Sequence, residues 1–288
     1  MTQLQRLAVS PSQIEANRIL LTDRQQHYLG RVLRLQAGDR FIAMDGAGQG
    51  WLAALREAGS EADLLEPISA QTELPIAVTL LIALPKTGMD DIVRQTTELG
   101  VSQIVPILSA RSLLNPSPQK LDRWQRIAQE AAEQSERQIV PTILPPHRWK
   151  EALQQWQGAG CYLCEPRGDS PSGELRSNRL HLLSCLESQL INPNQINLNR
   201  INQLNPLPAV TLAIGPEGGW TETEVQEATE AGYQPVSLGA RILRAVTAPI
   251  VALSLVGAVI EANELVVRDL EKDDHPNRSL GESILDGI

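Results

Sequence analysis

Apolar residues are distributed in two different ways along this chain. Over residues 1–73 they come in short pieces (RLAV, RIL, RFIAM, GWLAALREA), broken by the turn signals GD at 38–39 and DGAG at 45–48. Turns at hairpin spacing between such pieces predict a small β-rich module. From Leu74 the pattern changes to nearly continuous apolar runs: PIAVTLLIAL (75–84), SQIVPIL (102–108), GCYLC (160–164), AVTLAI (209–214) and QPVSL (234–238). Short β-branched runs without polar alternation are strands buried on both faces. Helical stretches lie between them: MDDIVRQTTEL (89–99), KLDRWQRIAQEAAEQSE (120–136), HRWKEALQQW (147–156) and TETEVQEATEA (221–231). Alternation of this kind predicts an α/β domain with a mostly parallel sheet and helices on both sides. Its ligands bind where strands end and loops enter helices. The loops that matter are then ALPKTGMDD, CEPRGDS, IGPEGGW and SLGARILRAVT.

The remaining segments fit around this plan. AVTAPIVALSLVGAVI (245–260) is short for a bilayer and carries Pro249 and Gly257, so it predicts a buried helix with Thr247 as N-cap and Pro249 in its first turn. Residues 186–209 are rich in Asn and Gln without a periodic apolar face, which predicts an insertion loop. From Arg268 the chain is charged and polar, and a disordered tail is expected over 268–288. The expected domains are thus 1–73 and 74–267. MTQLQRLAVSPSQ lacks the cationic start and apolar stretch of a signal peptide, so a cytoplasmic location and no membrane association are expected.

Charge changes the picture in one place. The net charge of −9 disfavours nucleic acid, because phosphate contacts need local positive potential. Between residues 18 and 40, however, Arg18, Arg24, Arg31, Arg34 and Arg40 face only Asp23 and Asp39. Three cysteines cannot build a disulfide framework. Cys161 and Cys164 form a lone CxxC without a second ligand pair, and a strand sends their side chains to opposite faces, so buried thiols and no metal are expected.

The IGPEGGW turn, Ile214 to Trp220, has the outline of a phosphate cradle but neither GxxxxGK[ST] nor GxGxxG spacing. Thr221 and Glu224 form a capping box that consumes the helix's free donors, and Glu217, Glu222 and Glu224 would repel polyphosphate. The loop at Leu238 and Gly239 is built similarly. Two glycine-bearing loops after adjacent strands would form one pocket of backbone groups with Leu238 and Leu243, suited to adenine.

IGPEGGW followed by SLGARILR and an apolar helix resembles the SPOUT methyltransferases. HYLGRVLRLQAGD (27–39), LPKTGMDDIVRQTTELGV (84–101) and EQSER (133–137) narrow the resemblance to the RsmE type, the 16S rRNA (uracil-N3)-methyltransferases. It covers residues 5–263. It implies an N-terminal PUA-like β-barrel that docks RNA, an α/β domain with a C-terminal trefoil knot, a homodimer, S-adenosylmethionine as methyl donor, and N3 of a decoding-region uridine in the small ribosomal subunit as acceptor.

Carried onto this chain, the expected cofactor-binding residues are Ile214, Gly215, Pro216, Glu217, Gly218, Gly219, Leu238, Gly239, Leu243 and Arg244. The RNA-binding residues are Arg18, Arg24, His27, Arg31, Arg34 and Lys86. N3 of uracil is a poor nucleophile until it loses its proton, so the site needs a base or a cation that stabilises the anion. Arg244 and then Arg137 are the cation candidates. Glu217 is either the base or a counter-charge to the sulfonium. Where the family commonly reads LR-T-E-T, this chain has Leu243, Arg244, Ala245, Val246 and Thr247, with Glu165 as a substitute acid. That departure motivates an alternative, a non-catalytic RNA-binding or ribosome-assembly factor on the same fold. A nucleotide-dependent enzyme is a third reading, opposed by the glutamates at the turn.

Overall fold

The computed structural model describes residues 4–69, 72–112, 116–157, 160–165, 179–190 and 209–273. In the N-terminal part, six strands form one curled sheet: β1 (Arg6–Ala8), β2 (Ile14–Glu15), β3 (Arg18–Leu20), β4 (Arg40–Met44), β5 (Gly50–Leu55) and β6 (Glu61–Ile68), in the order β1-β4-β5-β6-β3-β2. Every pairing is antiparallel except β1 with β4. Leu7, Ile19, Leu29, Phe41, Ala53 and Leu64 fill its core. Between β3 and β4, helix α1 (Asp23–His27) starts at a capping box, with the Thr22 hydroxyl accepting from the Gln25 amide, and runs into a π-helical turn at Tyr28–Val32. Arg34 follows at φ 59°, a left-handed conformation that L-residues adopt at a cost.

The second part is a parallel sheet: β7 (Ala77–Ala83), β8 (Gln103–Leu108), β9 (Thr142–Ile143), β10 (His147–Arg148), β11 (Cys161–Cys164), β12 (Ala209–Ile214) and β13 (Gln234–Val236). The order is β10-β8-β7-β12-β11-β13, with β9 also pairing to β8. Helices α2 (Met89–Glu98), α3 (Pro118–Gln134), α5 (Leu182–Leu190) and α7 (Thr247–Asp273) pack on one face, around Leu80, Ile82, Leu212 and Val256. On the other face α4 (Trp149–Gln155) and α6 (Glu222–Glu230) pack around Leu81, Ala213 and Trp220, with Trp149 stacked on Trp220. Burial on both faces is what the unbroken apolar strands require. It also divides the CxxC, since Cys161 belongs to one core and Cys164 to the other.

Three expectations need correction. Glycine loops were expected after adjacent strands, yet β11 lies between β12 and β13. Sequence spacing does not encode strand order, and the crossover through β11 is a tertiary fact. Second, α7 begins at Thr247, so Thr247 is its first helical residue rather than the cap. It also continues to Asp273, so residues 268–273 extend the helix instead of opening a disordered tail. Third, residues 186–190 finish α5, because Leu186 and Cys185 are buried against the sheet. The rest of both expectations, 191–208 and 274–288, lies outside the described residues.

The C-terminal end of α3 and the segment after it tie the two parts together. Glu136, at φ 64°, pairs with Arg6 at 2.7 Å, Glu133 accepts the Ala8 amide at 2.8 Å, and Glu130 takes Arg24 at 3.0 Å. Glu73 receives the Arg137 guanidinium at 2.7 and 3.0 Å and the amides of Gln138 and Ile139 at 2.9 Å. Burial is the main reason the Glu133 carboxyl is held above the ordinary glutamate range, with the neighbouring Glu130 charge adding to it.

Candidate active site

Four loops at the carboxyl ends of the parallel strands surround one cavity of about 490 Å³. After β12 the chain turns sharply, the Gly219 amide bonding the Pro216 carbonyl at 2.8 Å with Gly219 at φ 73°. The turn leads into α6 through the expected capping box. The Glu224 carboxylate accepts the amide and hydroxyl of Thr221 at 2.8 and 2.9 Å, and also the Ala110 amide at 2.8 Å. Glu224 is only 5% exposed, so a buried anion already occupies the helix end where a phosphate would have to bind.

After β13, the Ser237 hydroxyl accepts the Gly239 amide at 3.0 Å, and Gly239 takes φ 111° with open space where a Cβ would stand. The chain then passes through Arg241 to Val246 and enters α7, with the Arg244 carbonyl accepting the Thr247 and Ala248 amides. The loop after β7 closes a third side. There the Lys86 amide donates to Glu217 at 2.9 Å, which pins the acidic turn to this loop. Gly88, at φ 88°, lies so close to Val246 that an added Cβ would stand 2.6 Å from its Cγ2. From β11 come Cys164 and Glu165. Burial and the Glu165 charge push the Cys164 thiol up to about 12, so it stays protonated and serves as wall.

Nine expected cofactor residues line this cavity: Ile214, Gly215, Pro216, Glu217, Gly219, Leu238, Gly239, Leu243 and Arg244. Gly218 does not. Its carbonyl receives the Arg111 guanidinium at 2.5 Å, and a Cβ there would meet the Arg111 side chain at 3.1 Å, so it holds the turn from behind. Arg137 requires a correction, because it is 2% exposed and bound to Glu73 and to the carbonyls of Thr97 and Val101. EQSER is therefore a bracket between the two parts of the chain, not a source of a free guanidinium. Reading the motif alone missed this, since nothing local announces that Glu73 waits for it.

Sequence reasoning also missed Thr87, Trp220, Arg241 and Ile242. The last two lie inside the quoted SLGARILR, and Ile242 is 60% exposed. The expected RNA-binding residues divide between two places. Arg18, Arg24, His27, Arg31 and Arg34 are exposed on the N-terminal sheet and its helical turn, and Lys86 is exposed beside the cavity. Two of the arginines are already near acids, Arg18 beside Glu61 and Asp63 and Arg24 on Glu130, which weakens the patch. Among the described residues no three His, Cys, Asp or Glu side chains gather so as to hold a metal, and no helix is long and apolar enough to cross a membrane.

Residues 72–257 match the RNA methyltransferase domain family and residues 21–62 the RNA methyltransferase PUA domain. The chain is 46% identical to ribosomal RNA small subunit methyltransferase E of Synechocystis sp., over 89% of this chain and 78% of that one. The chain belongs to the RsmE family of ribosomal RNA methyltransferases. The Bacillus subtilis RsmE is 31% identical over 84% of this chain and 90% of its own length. The Neisseria gonorrhoeae RsmE, crystallised with S-adenosyl methionine, superposes with a TM-score of 0.70 at 30% identity, covering 88% of this chain and 96% of that one. The curled sheet is the PUA-like domain, and the parallel sheet with its flanking helices is the SPOUT methyltransferase domain.

Proposed function

We propose that the chain transfers a methyl group from S-adenosylmethionine to N3 of a uridine in the decoding region of 16S rRNA. The observation that carries this reading is the convergence of the 215–220 and 237–246 loops on one cavity with two carboxylates, Glu165 and Glu217, and a capped helix end that rejects phosphate. At about 490 Å³ the cavity lies within the usual range for cofactor sites. Ile214, Leu238, Leu243 and Ala248 offer apolar surface to an adenine, and Gly239, with open space where a Cβ would stand, lets the backbone approach it, while the missing Cβ of Gly215 makes room for the Trp220 indole. The carboxylates suit a cationic ligand. When bound, S-adenosylmethionine supplies a methyl group on a sulfonium, the electrophile of an in-line displacement.

The protein's own task is alignment and charge. Holding donor and acceptor in line can contribute on the order of 7–11 kcal/mol. Arg244, exposed on the cavity lining, is placed to stabilise the uracil anion through its carbonyl oxygens. Glu217 takes the N3 proton or balances the donor's positive charge. Its tie to the Lys86 amide fixes the carboxylate for either role. Val246, where the family commonly carries a glutamate, instead packs on Gly88 and closes the seam between two of the loops. A trefoil knot formed by the C-terminal loops, a homodimer and a cytoplasmic location complete the proposal.

The test is mass mapping of small-subunit rRNA from a deletion strain, with and without the gene restored. N3-methyluridine at the decoding site should vanish and return, and its persistence in the deletion strain would remove the assigned activity. The replacement of the family's glutamate by Val246 favours one second reading, a non-catalytic RNA-binding factor. Calorimetry that detects no S-adenosylmethionine binding, with RNA or without, would select it.

A further inference from the structure

A second cavity, of about 530 Å³, lies against the first and shares Thr87 with it. Its walls come from the loop after β7, the start of α2 and the start of α3. Four basic side chains line it, Lys86, Arg94, Lys120 and Arg123, against two acidic ones, Asp90 and Asp91. Both acids are engaged. Asp90 accepts Arg123 at 2.6 and 2.9 Å and the Trp124 indole at 3.1 Å, while Asp91 accepts Arg94 at 2.8 Å. Those two ion pairs cancel, and no acid among the described residues pairs with Lys86 or Lys120, both of which are exposed. In a chain of net charge −9, a cavity with two surplus cations beside the methyl-donor site is a local reversal of sign. The start of α3 agrees with it, since Ser117 makes no side-chain cap and the first turn carries no acid.

We propose that this cavity seats a phosphodiester of the RNA strand next to the target nucleotide, held by Lys86 and Lys120. The inference rests on the methyltransferase reading. An enzyme that modifies the pairing edge of a base must draw that nucleotide out of its stack, and the flanking backbone then needs its own anchor. Thr87 borders both cavities, so a phosphate on Lys86 lies next to the site that would hold the methyl donor. Arg123 and the Trp124 indole already satisfy Asp90, so the two lysines supply the surplus charge.

The experiment measures binding of transcribed small-subunit rRNA to the full chain between about 50 and about 200 mM salt, together with calorimetry of S-adenosylmethionine. The Lys86→Ala, Lys120→Ala double variant should bind RNA roughly tenfold more weakly. Its salt slope should be shallower by about 0.7 for each lysine that neutralises a phosphate. Arginine at both positions should keep the wild-type slope. Lys150→Ala, which removes a lysine paired with Glu227 on the opposite face of the sheet, should change neither quantity. S-adenosylmethionine affinity should be the same in all four proteins, because the Lys86 contact with Glu217 is made by the backbone. An unaltered slope in the double variant with donor binding intact overturns the anchor. An equal loss from Lys150→Ala does so too, because it would show a nonspecific charge effect. A wild-type protein that does not bind the donor sinks the methyltransferase reading itself.

Discussion

Gly88→Ala tests whether the seam between the loop after β7 and the start of α7 is as tight as the structure places it. Two costs add. Alanine at φ 88° carries the penalty of a left-handed conformation, about 1–2 kcal/mol. Its Cβ, 2.6 Å from Val246 Cγ2, also overpacks the seam, which costs about 1–3 kcal/mol. Val246→Ala alone removes two half-buried methyl groups and should cost about 1 kcal/mol. In the double variant the overlap is gone while the backbone penalty stays, so its destabilisation should fall short of the sum by about 1–3 kcal/mol. Urea unfolding of the four proteins reads this coupling. Calorimetry with S-adenosylmethionine reads its functional side, because Val246 and Thr87 both line the cavity proposed for the donor. Donor binding should weaken in Gly88→Ala and recover in the double variant. Additivity within about 0.5 kcal/mol would show that the two loops do not press on each other, and the account of Val246 would fall.

Removing the Arg137 bracket with Arg137→Ala leaves Glu73 half paired and should cost about 3–5 kcal/mol of stability, with donor affinity in the surviving folded protein unchanged. A loss of turnover without a loss of stability would return Arg137 to the catalytic list. Arg244→Ala should lower kcat by about 10²–10³ with little effect on stability, measured by methyl incorporation into rRNA. Glu133 has its folded pKa raised, so the buried carboxylate is a burden where it is ionised, and its stabilising contribution appears only as pH falls. Glu133→Gln, which keeps an acceptor for the Ala8 amide, should raise the unfolding midpoint at neutral pH. That advantage should shrink as pH approaches the 4.5 of a free glutamate. Native Cys164 should resist iodoacetamide at pH 8, followed by mass spectrometry, because burial holds its thiol near 12.

Periodicity was enough to reveal the parallel domain, because strands such as 209–214 and 103–108 are buried on both faces and need no partner to declare themselves. The capping box at Thr221 and Glu224 was legible for the same local reason. Strand order was not. That β11 separates β12 from β13 depends on packing between segments far apart in sequence. The loops that bring Glu165 and Thr87 to the cavity were legible as strand-end loops, and Glu165 was expected there as an acid. Arg137 shows the limit most clearly. Its motif marks an important residue, but its partner Glu73 lies 64 positions away and decides whether the guanidinium reacts or braces.

Helix α3 sets a distance. Its first turn borders the lysine-bearing cavity and its last turns grip the N-terminal sheet, so it separates those two surfaces by its own length. Seventeen residues at about 1.5 Å each make a rod of about 25 Å, on the order of seven nucleotides of a stacked strand at about 3.4 Å apiece. If RNA is held both at the lysine cavity and on the N-terminal sheet, as proposed, a rod of fixed length between those surfaces admits only an RNA whose two contact points match it, which would select folded architecture without reading a single base.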